Sequence, residues 1–222
     1  MRVVDFIETI LNSLDFSIKV NTFTVVGTET ELYVDNTYHA RIGSIITIGA
    51  NTYTVTTVVN NTTIIIEGTP ANPTELTLAT PNYFHGTATA TNNELSKLDK
   101  DAKFPFVYCY ELIRETYDNT IGSSIDRVAD LRLYFLDNAN FQDWSTEEHY
   151  DNVIDGMRNL TNLFIEKLND HSSIGLFDTF ELSNHVKFGV WTEKGHEKRV
   201  FNEYLSGVEL LINLPLKKNF DC

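Results

Sequence analysis

The sequence predicts an α+β fold, in which an antiparallel or mixed sheet has two helices packed on one face and carries an inserted small all-β barrel or sandwich domain. A long amphipathic segment at residues 145–170 predicts the main helix, and strand-like segments precede and follow it. Between residues 16 and 87 the chain is instead rich in Thr, Val, Ile, Asn and Gly and poor in charge. These observations divide the chain into an α+β body (residues 1–15 and 104–222), an inserted β domain (16–87) and a polar linker (88–103).

The first predicted element is a short helix over residues 3–14. Its apolar residues recur at spacings of three and four, which places them on one side of the helix. A helix of this length is only marginally stable alone, so we expect it to dock on the body. The apolar side consists of Val3, Phe6, Ile7, Ile10, Leu11 and Leu14.

The inserted domain is predicted to contain six short strands, separated by turn residues such as Gly49 and Gly68. Closely spaced strands of this kind favour a small barrel or sandwich of SH3-like or OB-like size. A barrel that binds nucleic acid would interleave basic and aromatic residues, whereas Lys19 and Arg41 are the only Lys or Arg residues of this region. The predicted strands are Phe16–Val26, Glu31–Val34, Ser44–Ile48, Thr52–Val59, Thr63–Glu67 and Glu75–Ala79.

The body resumes with the β-prone run FPFVYCYEL, whose proline is typical of the start of a strand or of an edge strand. Residues 115–124 are predicted to be a turn, and Pro215 is predicted to end the last strand. Hairpin-type connections between these strands favour an antiparallel or mixed sheet. The predicted body strands span residues 104–112, 125–136, 186–190 and 207–214.

The long helix has a predicted start at Ser145, which forms a capping box with Glu148, while Glu147 adds a second carboxylate where the helix dipole is positive. At ~1.5 Å per residue the helix is more than about 30 Å long, so its apolar stripe needs a sheet of similar length to cover it. The stripe consists of Tyr150, Val153, Ile154, Met157, Leu160, Phe164, Ile165 and Leu168.

Composition narrows the class of protein. Of 222 residues, 42% are hydrophobic, which is too many for a disordered chain. The net charge of -14 repels nucleic-acid phosphates and anionic lipid on average, and no apolar run approaches the ~20 residues of a membrane span. Asp5 and Glu8 interrupt any signal-peptide core, and two cysteines, Cys109 and Cys222, are too few for a disulfide scaffold. We expect an intracellular protein, or one assembled inside a cell, with free thiols and no membrane partner.

No residue pattern predicts catalysis, a cofactor or a metal site. Capping and the helix dipole account for the acids at the start of the long helix, and the residue four positions after His149 is Val153 rather than a second His. Cys109 lies between two tyrosines of a predicted strand, which favours a buried structural thiol over a nucleophile. Ser123 and Ser124 lack the G-x-S-x-G frame. The group of potential metal ligands that we discount consists of Glu147, Glu148, His149, Asp151 and Asp155.

The basic segment KGHEKR stands out in an acidic chain, and it supplies the candidate subunit-contact residues Lys194, His196, Lys198 and Arg199. They predict a contact with an acidic surface of a neighbouring subunit, which another face of the same protein could provide. The alternative is a solvated hairpin tip without a binding role.

Three segments in this order resemble a known family: FPFVYCYELIRE, ADLRLYFLDNANFQDWSTEEHYDNVIDGMRNLTNLFIEKL and VELLINLPLKK. They look like segments of small neck and tail-completion proteins of tailed bacteriophages, especially of phages that infect Bacteroidetes, including the crAss-like group. The resemblance covers the first helix and residues 104–216, and the inserted domain departs from a minimal tail terminator.

This resemblance implies a virion structural protein without enzymatic activity, which forms a ring that joins portal to tail or closes the tail end. It implies homo-oligomerisation, contacts with other neck, tail or portal proteins, and assembly in the cytoplasm of the bacterial host. DNA would pass nearby without specific recognition. The residues alone leave two other classes open: a binding module whose β domain recognises a ligand, carbohydrate or partner protein, and a hydrolase whose site is assembled only in space.

Overall fold

We describe the protein from a computed structural model, which describes residues 2–59, 61–99, 102–118, 120–177, 179–194, 196–218 and 220. Within these residues the chain has a mixed α+β architecture with a closed barrel and a separate body sheet, which confirms the predicted fold class. The α-helices are α1 (Val3–Asn12), α2 (Ala88–Leu95), α3 (Thr146–His149) and α4 (Asp155–Asn169).

The inserted domain contains the strands β1 (Ser17–Val26), β2 (Glu29–Val34), β3 (Ile45–Ile48), β4 (Asn51–Val59), β5 (Thr63–Glu67) and β6 (Glu75–Leu78). They form a closed antiparallel barrel in the order β1-β2-β5-β4-β3-β6, in which β6 pairs back with β1. Side chains alternate between inside and outside along each strand, and the inward-facing Leu32, Ile46 and Ile64 are fully buried. Each of the six predicted strands is confirmed, with ends shifted by two residues or fewer.

The body sheet contains the strands β7 (Asn82–Gly86), β8 (Phe106–Tyr110), β9 (Arg114–Tyr117), β10 (Ile125–Asn138), β11 (Phe180–Phe188) and β14 (Leu205–Lys217), and a separate hairpin consists of β12 (Val190–Glu193) and β13 (His196–Arg199). The sheet order is β11-β14-β10-β8-β7, and β9 pairs with β10 beyond the end of β8. The β7–β8 pair is parallel and the other pairs are antiparallel, so the sheet is mixed.

The long helix runs without interruption through α3, a π-helical turn (Tyr150–Ile154) and α4. The predicted capping box is present: the Ser145 N–H donates to the Glu148 carboxylate at 2.7 Å, and the Glu148 N–H donates to Ser145 Oγ at 3.3 Å. A π-helical turn inserts an extra residue into the helix and often marks a functional position.

One face of the body sheet, which we call the helix side, is covered by α1 and the long helix. Phe135 of β10 packs against Phe164 of α4 with ring centres 5.6 Å apart, and both side chains are fully buried. The same apolar cluster continues into the barrel through residues such as Phe16 and Ile18, so barrel and body share one core.

The other face, which we call the open side, is covered only towards the end of the sheet where β11 leads into the hairpin. There Tyr108 stacks on Tyr134 with ring centres 5.7 Å apart, and Phe201 and Leu95 cover this pair and its neighbours. The covering segments are α2 and the loop between β13 and β14.

The structure differs from the predicted domain limits around residues 82–95. Asn82–Gly86 lies within the predicted insert, yet it pairs with β8 and therefore belongs to the body sheet, because the barrel already closes when β6 pairs with β1. Ala88–Leu95 lies within the predicted linker, yet it forms α2, where Thr87 Oγ accepts the Ala90 N–H and Leu95 is buried.

Two strand ends also differ from expectation. Arg114–Tyr117, predicted in part as a turn, pairs with β10 as strand β9. The last strand does not end at Pro215 but continues to Lys217. Proline is tolerated there because β11 pairs with β14 only as far as Ile212, and beyond it only an isolated bridge between Ile174 and Leu216 lies on that edge. In this bridge the Pro215 carbonyl accepts the Gly175 N–H at 2.7 Å, which does not require an N–H of residue 215.

Candidate functional site

The predicted basic segment lies in the hairpin of β12 and β13, which we call the arm. Trp191 pairs with Lys198 and Glu193 pairs with His196, and neither strand pairs with any other strand in the described part of the chain. All of its described residues are exposed except Val190, which is half-buried. The Val200 N–H donates to the Gly189 carbonyl at 2.9 Å, so the two ends of the arm leave the body side by side.

The two faces of the arm differ. On the inner face, the Arg199 guanidinium lies 4.6 Å from the centre of the Tyr204 ring, and the Tyr204 hydroxyl donates to the Glu197 carboxylate at 3.2 Å. Side chains alternate along a strand and paired residues share a face, so Trp191, Glu193, His196 and Lys198 form the outer face.

The four sequence-predicted contact residues therefore do not act as one group. Lys198 and His196 lie on the outer face, Arg199 is engaged with Tyr204 on the inner face, and Lys194 lies at the turn with a φ of 51°. Lys194 and Lys198 form no ion pair with any described residue, which leaves both ammonium groups available to a partner. The sequence analysis missed Trp191, which is 49% exposed and lies beside Lys198.

A recess of about 500 Å³ lies on the open side of the sheet, at the end away from the arm. It lies beyond the rows of residues that α2 and Phe201 cover. Its floor includes Arg132 and Leu211, which are directly paired, and Glu181, which pairs with Leu211 from the other side. The recess is lined by Tyr110, Leu112, Asp130, Phe180, Glu181 and Leu211, among others.

The recess exposes unusually large apolar side chains. Leu112 is 74% exposed and Tyr110 is 37% exposed, whereas Phe180 pairs with the buried Ile212 and therefore directs its side chain to the helix side. Glu181 is exposed and forms no ion pair with a described residue, whereas Arg132 is held by Glu209 at 3.1 Å. Exposed apolar side chains grouped in this way, with polar residues around them, are typical of a protein contact surface.

A second cavity, of about 770 Å³, lies between the barrel and the body. Arg41 of the barrel crosses this junction and its Nε lies 2.5 Å from the carboxylate of Asp137, which is 1% exposed. Burial raises the pKa of Asp137 to about 6 even though Arg41 opposes the shift. The cavity also exposes Asp151 of the π-helical turn, and Gly156 lets the barrel backbone at His39 approach the helix closely.

His39 lines the same cavity and is almost fully buried. Its Nε2 lies 3.2 Å from the Ala79 carbonyl, which can only accept, so Nε2 carries the proton and Nδ1 is an acceptor. Nδ1 has no hydrogen-bond partner in the described structure. Burial lowers the pKa of His39 to about 4, so the imidazole is neutral at physiological pH.

The remaining sequence candidates are structural. His149 Nδ1 lies 2.9 Å from Ser206 Oγ, which itself donates to the Val186 carbonyl. Cys109 is fully buried and burial raises its pKa to about 11, which keeps it a protonated thiol at neutral pH; Cys222 lies outside the described residues. Among the residues that the structure describes, no group of three or more His, Cys, Asp or Glu is placed to hold a metal ion.

Comparison with protein-family models finds no family that matches this chain, and comparison with curated proteins finds no match either. Across the described part of the chain, no helix has the length and apolar character needed to cross a membrane. The arm and the recess are therefore interpreted from their own geometry.

Proposed function

We propose that the chain is a structural subunit of a phage virion, without enzymatic activity, that forms a ring in the neck or tail as a head–tail connector, ring or tail-terminator component. The resemblance of residues 104–216 to neck and tail-completion proteins supplies this class. The arm is the structural observation that carries the proposal, because it is built for contact with another molecule.

An isolated two-stranded hairpin is marginally stable in water, and this one presents two unpaired strand edges and an exposed Trp191. Free edges and exposed aromatic surface promote non-specific association unless a partner covers them. A neighbouring subunit would provide that cover. Contacts of this kind, repeated around an axis, close into a ring.

The charge of the chain fits a position around passing DNA. A net charge of -14 repels phosphates, so a ring of these subunits would surround DNA without gripping it. The proposed partners are further copies of the chain and other neck, tail or portal proteins, in a virion assembled in the host cytoplasm. Tight binding of duplex DNA at physiological salt, measured by fluorescence anisotropy, would contradict this part of the proposal.

Sedimentation velocity and negative-stain microscopy of the purified chain test the ring. The matched control is an armless variant in which a short Gly-containing turn replaces residues 190–199, since the ends of the arm are already adjacent. We expect rings or ring fragments from the wild type, and monomers with an unchanged unfolding transition from the armless variant. A wild-type chain that remains monomeric up to about 1 mM, where even a millimolar contact is populated, would refute self-assembly.

The cavity at the barrel–body junction favours a second candidate function, a module whose β domain binds a ligand. Its volume falls within the range of ligand pockets, and the exposed carboxylates of Asp151 and Asp155 line it. Carbohydrate hydroxyls could donate to these carboxylates. A thermal-shift screen with mono- and disaccharides, with Asp151→Asn/Asp155→Asn as the control, tests this: stabilisation of the wild type alone would support it.

A further inference from the structure

The structure assigns the arm a specific receptor: we infer that the outer face of the arm of one copy docks in the open-side recess of a neighbouring copy. This inference rests on the proposed function, and it names the two surfaces that would meet in the ring. Three independent features support it, namely apolar fit, charge and position.

Apolar surface is exposed on both partners. Trp191 is 49% exposed on the outer face of the arm, while Leu112 and Tyr110 are 74% and 37% exposed around the recess. A tryptophan buries about 150–250 Å² when it is covered, and buried tryptophans are frequent hot spots of protein interfaces. Seating Trp191 against Leu112 and Tyr110 would remove the largest exposed aromatic side chain of the arm and the apolar rim of the recess from water together.

Both surfaces are mixed in charge, because Arg114 and Arg132 lie in the recess with Asp130 and Glu181, and Glu193 shares the outer face of the arm with Lys198. Charge complementarity therefore concerns one specific pair. Two copies with a net charge of -14 repel each other on average, so association requires a contact that brings a basic group to an acidic one. Lys198 is directly paired with Trp191 on the outer face, and Glu181 lies in the recess beside Leu211. Neither charge has an ion-pair partner among the described residues, so each is free to meet the other.

The two surfaces lie at opposite ends of the body. Strand β11 begins at Phe180, beside the recess, and ends at Phe188, one residue before the arm connection. Eight residue steps of about 3.3 Å separate these ends by about 26 Å. Different patches at opposite ends of a subunit produce a head-to-tail contact, which closes into a ring when the rotation between neighbours allows it.

Charge reversal with mixing tests the pairing, with sedimentation velocity as the readout. Lys198→Glu places an acid on the arm against Glu181, and Glu181→Lys places a base in the recess against Lys198, so each variant alone should weaken association at least tenfold. An equimolar mixture of the two variants should associate again. In that mixture, the acidic arm of the first variant meets the basic recess of the second, and the unchanged arm of the second meets the unchanged recess of the first. Every contact between unlike copies therefore joins opposite charges.

Lys97→Glu and Glu166→Lys are the matched controls, because both residues are exposed and lie outside the arm and the recess. They make the same changes in net charge and should leave association within about twofold of the wild type. Equal effects of the controls and the test variants would show that net charge alone governs association, which would overturn the inference.

Tryptophan fluorescence gives a second readout. In a Trp144→Phe variant Trp191 is the only tryptophan, and its emission should shift to shorter wavelength as the protein associates, because docking removes the indole from water. Adding Leu112→Ser should reduce this shift. Trp191→Ala should weaken association about thirtyfold, the effect of a hot-spot tryptophan.

The outcomes separate this inference from the proposed function. Rings that form normally in both single charge-reversal variants would overturn the arm–recess pairing while leaving the ring intact. A wild-type chain that never associates would contradict both the arm–recess pairing and the proposed ring. A chain that associates only after a different phage protein is added, with the same sensitivity at Lys198 but none at Glu181, would place the receptor on that protein and also overturn the pairing.

Discussion

The helix side and the open side of the body sheet use the same strands for different purposes. On the helix side, Phe135 and Leu133 are fully buried beneath the long helix. On the open side, Arg132 and Leu211 of the same two central strands border a recess with an exposed apolar rim. The contrast indicates that the helix side stabilises the subunit, whereas the uncovered part of the open side is available for contact with another molecule.

Within the open side, packing by other segments decides which residues are buried. Strand β10 alternates apolar residues towards the helices with Asp130, Arg132 and Tyr134 towards the open side. Tyr134 is buried because Tyr108 and Phe188 pack against it with ring centres 5.7 and 4.7 Å away, and Arg132 lies outside this cluster and is exposed. The end of the open side therefore becomes a surface only because the covering elements are short.

A truncation on the helix side should have the largest effect. Phe164→Ala removes a fully buried ring that packs on Phe135, and we expect it to lower the free energy of unfolding by about 3–5 kcal/mol in urea titrations. Leu112→Ala on the open side, where the side chain is 74% exposed, should change stability by less than about 0.5 kcal/mol. Similar losses of stability for the two variants would contradict the distinction between the helix side and the open side.

Substitutions at the barrel–body junction, which belongs to the helix-side core, should lower the free energy of unfolding by nearly as much. Arg41→Met leaves the buried Asp137 carboxylate without its partner, and we expect a loss of about 3 kcal/mol at pH 8. Because the pKa of Asp137 is already raised, the residue can protonate, and the loss should shrink at pH 5. The double variant Arg41→Met/Asp137→Leu should recover most of the stability. No recovery would mean that Arg41 acts through packing alone.

Two buried groups of this junction should respond to pH in opposite directions. The folded-state pKa of His39, about 4, lies below its ordinary value of 6.5, so the unfolded chain binds more protons and His39 lowers stability by up to about 3 kcal/mol as the pH falls from 6.5 to 4. The folded-state pKa of Asp137, about 6, lies above its ordinary 3.8, so Asp137 adds stability as the pH falls from 6 to 3.8.

Single variants should expose these opposing contributions. His39→Gln removes the destabilisation at low pH, so its stability relative to the wild type should rise between pH 7 and pH 4 in urea titrations. Asp137→Asn should shift the difference in the opposite direction. A difference between wild type and His39→Gln that is constant over this pH range would contradict the inferred neutral, buried state of His39.

Local signals in the sequence predicted most of the fold. The spacing of apolar residues and the Ser145–Glu148 box identified the long helix, and alternation with turn residues identified all six barrel strands. The errors occurred where the outcome depends on distant parts of the chain. Asn82–Gly86 reads as another strand of the insert, and only closure of the barrel by β6 assigns it to the body sheet.

The candidate surfaces were less predictable for the same reason. KGHEKR marked the arm by its charge, but only the strand register shows that Lys198 shares a face with Trp191 and that Arg199 faces Tyr204. The recess combines residues from three separated segments, around Leu112, Asp130 and Phe180, which no sequence pattern links. Exposure of Leu112 depends on which segments cover the open side, and that is a property of the packed structure.

The smallest expected effect on stability gives the sharpest test of the difference between the two sides. Trp191→Ala removes a large apolar side chain, and the same change in the core would cost several kcal/mol. Because the indole lies on the face of the arm opposite the Arg199–Tyr204 contact, we expect the free energy of unfolding to change by less than about 0.5 kcal/mol under conditions where the chain is monomeric. Association should nevertheless weaken about thirtyfold, the effect of a hot-spot tryptophan. A loss of about 2 kcal/mol or more in the monomer, on the order of a buried side chain, would mean that Trp191 packs within its own subunit. The indole would then not be available to dock in the recess of a neighbouring copy.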